Sequence, residues 1–156
     1  MLHTFKTKQV IKNNLDSVWC FMSSPYNLAQ ITPPHLGFQI LSAKDDVEKM
    51  HAGQIIEYTV SPILGIKLYW VTEITHVNKG VFFVDEQRFG PYSFWHHKHF
   101  FKEIPGGVEM TDIVHYKLPF GRIGQLVNKF LVKKQLEIIF AYRNKKVDEL
   151  LKMENS

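Results

Sequence analysis

Alternation of apolar and polar residues dominates the middle of the chain. Five segments rich in β-branched and aromatic residues follow one another: Gly53–Ser61, Ile66–Val77, Val81–Phe89, Phe94–Ile104 and Val108–Leu118. That composition favours strands. Their separators are turn signals: Ser61-Pro62-Ile63-Leu64-Gly65, Asn78-Lys79-Gly80, Gly90-Pro91-Tyr92-Ser93 and Pro105-Gly106-Gly107. Connections this short join antiparallel neighbours. A further strand over Gly37–Ala43 precedes these five, and another over Thr4–Ile11 opens the chain.

Helical spacing takes over at both ends of this strand-rich region. Asn14 or Asp16 can cap a helix over Leu15–Ser23, with Val18, Trp19 and Met22 on its apolar side. A second short helix over Tyr26–Ile31 is stopped by Pro33-Pro34. From Ile123 to Lys152 the only helix breaker is Gly124, and Val132, Leu136, Ile139, Phe140, Val147 and Leu150 recur at helical spacing. One long helix with an apolar stripe is expected there. The order is strand, two short helices, six strands and a long terminal helix. This is an α+β domain in which an antiparallel seven-stranded sheet needs the long helix as its cover. A sheet curved around a helix leaves space between the two.

Loop lengths set register, and register decides which side chains share a face. A three-residue loop at Asn78-Lys79-Gly80 places Val77 opposite Val81, Glu73 opposite Asp85 and Val71 opposite Gln87. A five-residue loop ending at Phe94 places Asp85 opposite His99 and Gln87 opposite His97, and the turn Ile104–Gly107 places His99 opposite Asp112 and His97 opposite Val114. One face then carries the rows Thr75/Phe83/Phe101/Met110, Glu73/Asp85/His99/Asp112, Val71/Gln87/His97/Val114 and Tyr69/Phe89/Trp95/Tyr116. Apolar at both ends, it is expected inside. The other carries Thr72/Glu86/Lys98 and Trp70/Arg88/His96/His115, a charged ladder expected outside.

Carboxylates at the centre of an apolar face must be paired or protonated. Three readings of that polar middle stay open: a satisfied network that fixes strand register, a polar anchor for an apolar ligand, or a metal or catalytic centre. As a ligand site it comprises Glu73, Asp85, Gln87, Trp95, His97, His99, Phe101, Asp112 and Tyr116. As a catalytic site, His99 is the general acid or base, oriented by Asp112 and tuned by Asp85. As a metal site, His97 and His99 project from one strand face with Asp85, Asp112 or Glu73 as oxygen donors, a spacing of low specificity. No metal or cofactor is expected. Arg143 interrupts the apolar stripe of the long helix, and either snorkels to solvent or turns inward to face Glu73 or Asp85, as a buried salt bridge or a carboxylate-binding anchor. Cys20 reads as an inert core thiol beside Trp19. Thr32–Leu36 and Ser61–Gly65 are connectors or, alternatively, walls of a cavity mouth.

Composition narrows the class. The chain has 156 residues, 45% of them hydrophobic and 22% charged, enough for one domain over 1–156 and too apolar for disorder. No apolar run approaches the roughly 18 residues of a membrane span, and no signal-peptide-like stretch opens the sequence. A single cysteine excludes disulfides and fits a cytoplasmic setting. The net charge of +4 concentrates in Lys129, Lys133, Lys134, Arg143, Lys145 and Lys146. That is the wet side of an amphipathic helix, or a weak surface for an anionic membrane or protein partner. Nucleic acid is not expected, because no recognition motif accompanies the charge.

The run Phe83-x-Asp85-x-Gln87-x-x-Gly90-Pro91-Tyr92-x-x-Trp95-x-His97-x-His99-x-Phe101, followed by Thr111-Asp112 and Tyr116-x-x-Pro119, resembles the small bacterial ligand-binding members of the START-like (SRPBCC) superfamily. The order of elements over the whole chain is similar to their helix-grip fold. The resemblance implies a cavity between sheet and long helix that holds a hydrophobic small molecule, such as a lipid, polyketide or isoprenoid. It implies no one activity, since the superfamily includes carriers, receptors and polyketide cyclase-type enzymes. No catalytic set of the superfamily maps onto these residues.

Overall fold

The computed structural model describes residues 1–42, 50–63, 65–119, 121 and 131–153. Seven strands form one antiparallel sheet in the order β1-β7-β6-β5-β4-β3-β2: β1 (His3–Ile11), β2 (Gln39–Ile40), β3 (Gln54–Ile63), β4 (Ile66–Asn78), β5 (Phe82–Phe89), β6 (Phe94–Ile104) and β7 (Gly107–Lys117). After β1 come α1 (Leu15–Met22) and α2 (Pro25–Gln30), then a 3-10 turn over Pro34–Leu36. The last described element is the long helix α3 (Lys133–Met153). This is the helix-grip architecture expected from the order of elements.

Local chemistry explains the element starts. The Asn14 side chain caps α1 by accepting from the Ser17 amide at 2.8 Å, and Pro25 opens α2, where a missing N–H costs nothing. The strand expected over Gly37–Ala43 shrinks to β2, because Gly37 closes the 3-10 turn with a left-handed backbone. The Ala43 end of that expectation lies outside the described residues, as does the part of the long helix expected over 123–130. The connector read at Ser61–Gly65 is tighter than its sequence implies: β3 runs on to Ile63, which pairs with Ile66. Leu64 lies outside the described residues.

Register decides which faces meet the helix. Across β6 and β7 it is the expected one, with His99 facing Asp112 and His97 facing Val114. Between β5 and β6 it differs by two residues: Asp85 faces His97, and Phe83 faces His99. A slip of two keeps every side chain on its face. The Gln87 side chain accounts for it, since its amide donates to the Tyr92 carbonyl at 2.6 Å and accepts from the Tyr92 amide at 3.2 Å. Those bonds brace the turn, and the paired ladder stops at Glu86–His96. They also require glycine at position 90, where a Cβ would fall 2.5 Å from Gln87 Oε1.

Between β4 and β5 the expectation fails by an odd count. Thr75 is bulged out of a ladder that runs from His76–Val84 to Ile74–Asp85. One extra residue turns the rest of β4 over. Trp70, Thr72 and Ile74 therefore point inward and are buried, while Tyr69, Val71 and Glu73 do not join the interior rows. A second irregularity pairs Val71 with Phe89, leaving Phe89 61% exposed against Tyr69. Glu73 is on the outer face, where it accepts from Arg88. Thr75 turns outward as well and donates to Glu86.

The core lies under one half of the sheet. Trp19 meets Phe83 and Phe101 edge-on, with ring centroids 5.9 and 5.3 Å apart, among Ile11, Val18, Val108, Met110, Val147 and Leu151. Cys20 is exposed on the opposite side of α1, so it is not the core thiol expected beside Trp19. Across the molecule, α3 is fastened to β1 and the loop after it. Gln9 donates to the Asn144 carbonyl at 2.6 Å, Asn13 to the Leu151 carbonyl at 3.0 Å, and Phe5 packs on Phe140. Fixed at that edge, α3 stands off the β3–β6 half.

Candidate functional site

A cavity of about 180 Å³, partly open to solvent, occupies the space under α3. Its floor comes from β3–β6 through Tyr58, Trp70, Asp85, Trp95 and His97. The side wall is Leu28 and Ile31 from α2 and its end, and the roof is Leu136, Phe140 and Arg143 from α3. No residue of β1 or β7 lines it, as follows from where α3 is fastened. Aromatic rings dominate the wall: Trp70 stacks on Tyr58 at 5.8 Å and meets Trp95 at right angles at 5.3 Å.

At one end of the floor, two acids and two imidazoles form a closed ring. His97 Nε2 lies 3.0 Å from Asp112 Oδ1, and His97 Nδ1 lies 3.3 Å from Asp85 Oδ2. His99 Nε2 lies 2.7 Å from Asp85 Oδ2. Its Nδ1 comes within 2.8 Å of Asp112 Oδ1 but off the line a hydrogen bond needs, so that contact is electrostatic. The imidazoles lie against each other with centroids 3.7 Å apart and planes tilted by 40°, His99 stacks on Phe83 at 4.0 Å, and Trp95 Nε1 donates to Asp85 at 3.3 Å. His97, His99 and Asp112 are buried.

Burial acts to raise the carboxyls' pKa, but the two imidazoles outweigh it and hold Asp85 and Asp112 well below the usual carboxylate range. Burial acts to lower that of His97, but Asp85 and Asp112 raise it to about 9. At neutral pH the ring therefore holds two carboxylates and at least one imidazolium. Burial pushes the phenols of Tyr58 and Tyr92 up, so both stay neutral.

Arg143 takes the inward course of the two its position allowed. Its guanidinium carbon sits 4.8 Å over the Phe140 ring, and it lines the cavity. Among the described residues it makes no hydrogen bond and no ion pair, and its Nε is sealed from solvent. Burial pushes its pKa down against the attraction of Asp112, Asp85 and Tyr58. Trp70 Nε1 is likewise sealed and without a partner. Buried donors left unmade cost about 1–3 kcal/mol each.

Of the residues the sequence proposes, Asp85, Trp95, His97, His99 and Arg143 line the cavity. Asp112 stands behind the imidazoles, Phe101 lies in the core around Trp19, and Tyr116 is buried edge-on to Tyr92. Gln87 serves the β5–β6 loop, and Glu73 is outside. Sequence reasoning missed Tyr58 and Trp70. Both are aromatic residues in strong strand segments, but the bulge at Thr75 reversed the side assigned to Trp70.

The arrangement bears on chemistry. As a general base, His99 would need a ring nitrogen facing a substrate, and both of its nitrogens face carboxylates. Asp85, His97 and His99 present three ligand atoms within 4.8 Å of one another. A cation there would have to displace the proton that His97 holds up to about pH 9 and break the carboxylate contacts. The exposed side of α3 is mixed in charge, with Lys145 and Lys146 beside Glu149. No helix among the described residues is long and apolar enough to cross a membrane.

No family model and no curated protein matches the chain. Solved structures do match in fold over nearly its whole length. TTHA0849 from Thermus thermophilus superposes with a TM-score of 0.73 at 14% identity, covering 99% of this chain and 100% of that one. CV1439 from Chromobacterium violaceum gives 0.73 at 12% identity, covering 96% and 97%. Ara h 8.0201 gives 0.57 at 14% identity, covering 94% and 98%. The chain thus shares the helix-grip fold of these solved structures.

Proposed function

We propose that this protein binds an apolar small molecule, of the lipid, polyketide or isoprenoid kind, in the cavity between α3 and the β3–β6 half of the sheet. The observation that carries the reading is the volume together with its walls. Water in this partly open space of about 180 Å³ meets mostly aromatic and aliphatic side chains, and leaving such apolar surface wet costs about 25 cal/mol per Å². Apolar voids of about 150 Å³ take up benzene-sized guests. A guest that covers Tyr58, Trp70 and Phe140 converts that cost into buried contact. The helix-grip fold supports the same reading.

Native mass spectrometry of gently purified protein tests it. The expected result is a protein peak with an added mass that leaves on denaturation. The opposing result is the bare chain mass, together with a melting temperature that no member of a lipid panel raises.

A further inference from the structure

We infer that the guest carries a carboxylate, and that Arg143 receives it; this rests on the cavity being a binding site. The donors of the site are out of balance with its acceptors. Every acid on or behind the floor is committed: Asp85 to Trp95, His97 and His99, and Asp112 to the two histidines. Tyr58 and Thr72 share a hydrogen bond at 3.1 Å. Of the buried lining atoms left without a hydrogen bond, His99 Nδ1 faces the Asp112 carboxylate, and the other two are donors, Arg143 Nε and the Trp70 indole N–H.

A half-buried guanidinium without a hydrogen bond, its Nε sealed and its carbon over an aromatic ring at the cavity roof, presents its N–H groups in a planar fork. Carboxylate oxygens match that fork two at a time. A neutral alcohol or amide offers one acceptor and no charge, and an ammonium would be repelled. The guest is therefore an apolar monocarboxylate, its head at Arg143 and its body against the Tyr58–Trp70 wall. The competing role for Arg143 is a distant counter-charge for the Asp85–His97–His99–Asp112 ring, whose acids attract it without bonding it.

The test compares decanoate, 1-decanol and decylamine, equal in chain length and different in head, by calorimetry on the intact protein and on Arg143→Met and Arg143→Lys. Expected is a preference of about tenfold or more for decanoate over decanol, with decylamine weakest, since a charge-assisted bidentate pair is among the stronger hydrogen-bonded contacts. In Arg143→Met that preference disappears while decanol affinity holds. In Arg143→Lys it survives in part, which decides the matter should the Met variant not fold. Equal affinity for decanoate and decanol in the intact protein overturns the carboxylate and leaves the cavity reading standing. So does an acid preference that Arg143→Met leaves intact, and with it a fall in melting temperature would assign Arg143 to the ring. No binding of any of the three, nor of neutral Nile red, overturns both readings.

Discussion

His97 Nε2 lies 3.0 Å from Asp112 Oδ1 although the two are not ladder partners: Val114 faces His97, and His99 faces Asp112. The contact is diagonal. It lets one buried carboxylate serve two imidazoles while Asp85, on the next strand, serves the same two from the other side. Each charge of the ring is thereby met at once, which is the condition for burying it at all.

Breaking that ring from one side exposes its worth. Asp112→Asn keeps the volume and removes the charge, leaving His97 with a single carboxylate. Unfolding in urea should show a loss of about 3–5 kcal/mol, the range for a buried pair deprived of one partner. The pKa of His97, followed by NMR of the imidazole, should fall from about 9 toward its ordinary value. A variant as stable as the parent would show that the ring is dispensable.

Stability should vary with pH in a definite sense. The folded-state pKa of His97, about 9, lies above its ordinary value of 6.5, so its contribution is full below pH 6.5 and is lost as pH rises through 9. A shift of that size corresponds to something on the order of 3 kcal/mol. Asp85 and Asp112 are lowered, so theirs is present above the ordinary carboxylate range and lost as pH falls below it. Urea midpoints measured from about pH 3 to 10 should peak between the two limits, with the alkaline limb flattened in His97→Gln. Midpoints that climb steadily from pH 6.5 to 9 would contradict the assignment of the imidazolium.

The outer face should behave differently. Glu73 pairs with a half-exposed Arg88, and such surface pairs are worth about 0–1 kcal/mol. Glu73→Gln is expected to cost less than about 1 kcal/mol and to leave decanol binding unchanged. Loss of binding in that variant would return Glu73 to the interior where the sequence placed it.

Close approach between β7 and the end of β1 gives a purely structural check. A Cβ at Gly107 would fall 2.3 Å from the Ile11 carbonyl oxygen, a backbone atom that has nowhere to move without opening the sheet edge. Gly107→Ala should cost about 1–3 kcal/mol in urea unfolding. A neutral result would mean that the two strands part more easily than the register suggests.

Particular residues show how much of this was readable beforehand. The Pro105-Gly106 turn fixes one register tightly, so the facing of His99 and Asp112 follows from the sequence alone. The loop after β5 hides its length, because the Gln87 amide stands in for backbone partners. The two-residue slip is harmless to the assignment of faces. The bulge at Thr75 leaves no glycine or proline as a signal, yet it sends Trp70 into the cavity and Glu73 out. Arg143 was ambiguous because helical spacing places its Cα on the stripe, whereas only packing decides whether a long side chain bends outward or in. The volume under α3 depends on Gln9 and Asn13 fastening it at one edge, and side chain–to–carbonyl bonds of that kind have no sequence pattern.

The most direct test of a guest beneath α3 is a titration with 1-decanol followed in two-dimensional NMR of the uniformly labelled protein. Shifts confined to the cavity wall, with the indole signals of Trp70 and Trp95 and the imidazole of His97 moving together and saturating at one equivalent, are the result expected. Shifts scattered over the outer face at Arg88, His96 and His115, or no saturable shift at all, would contradict it.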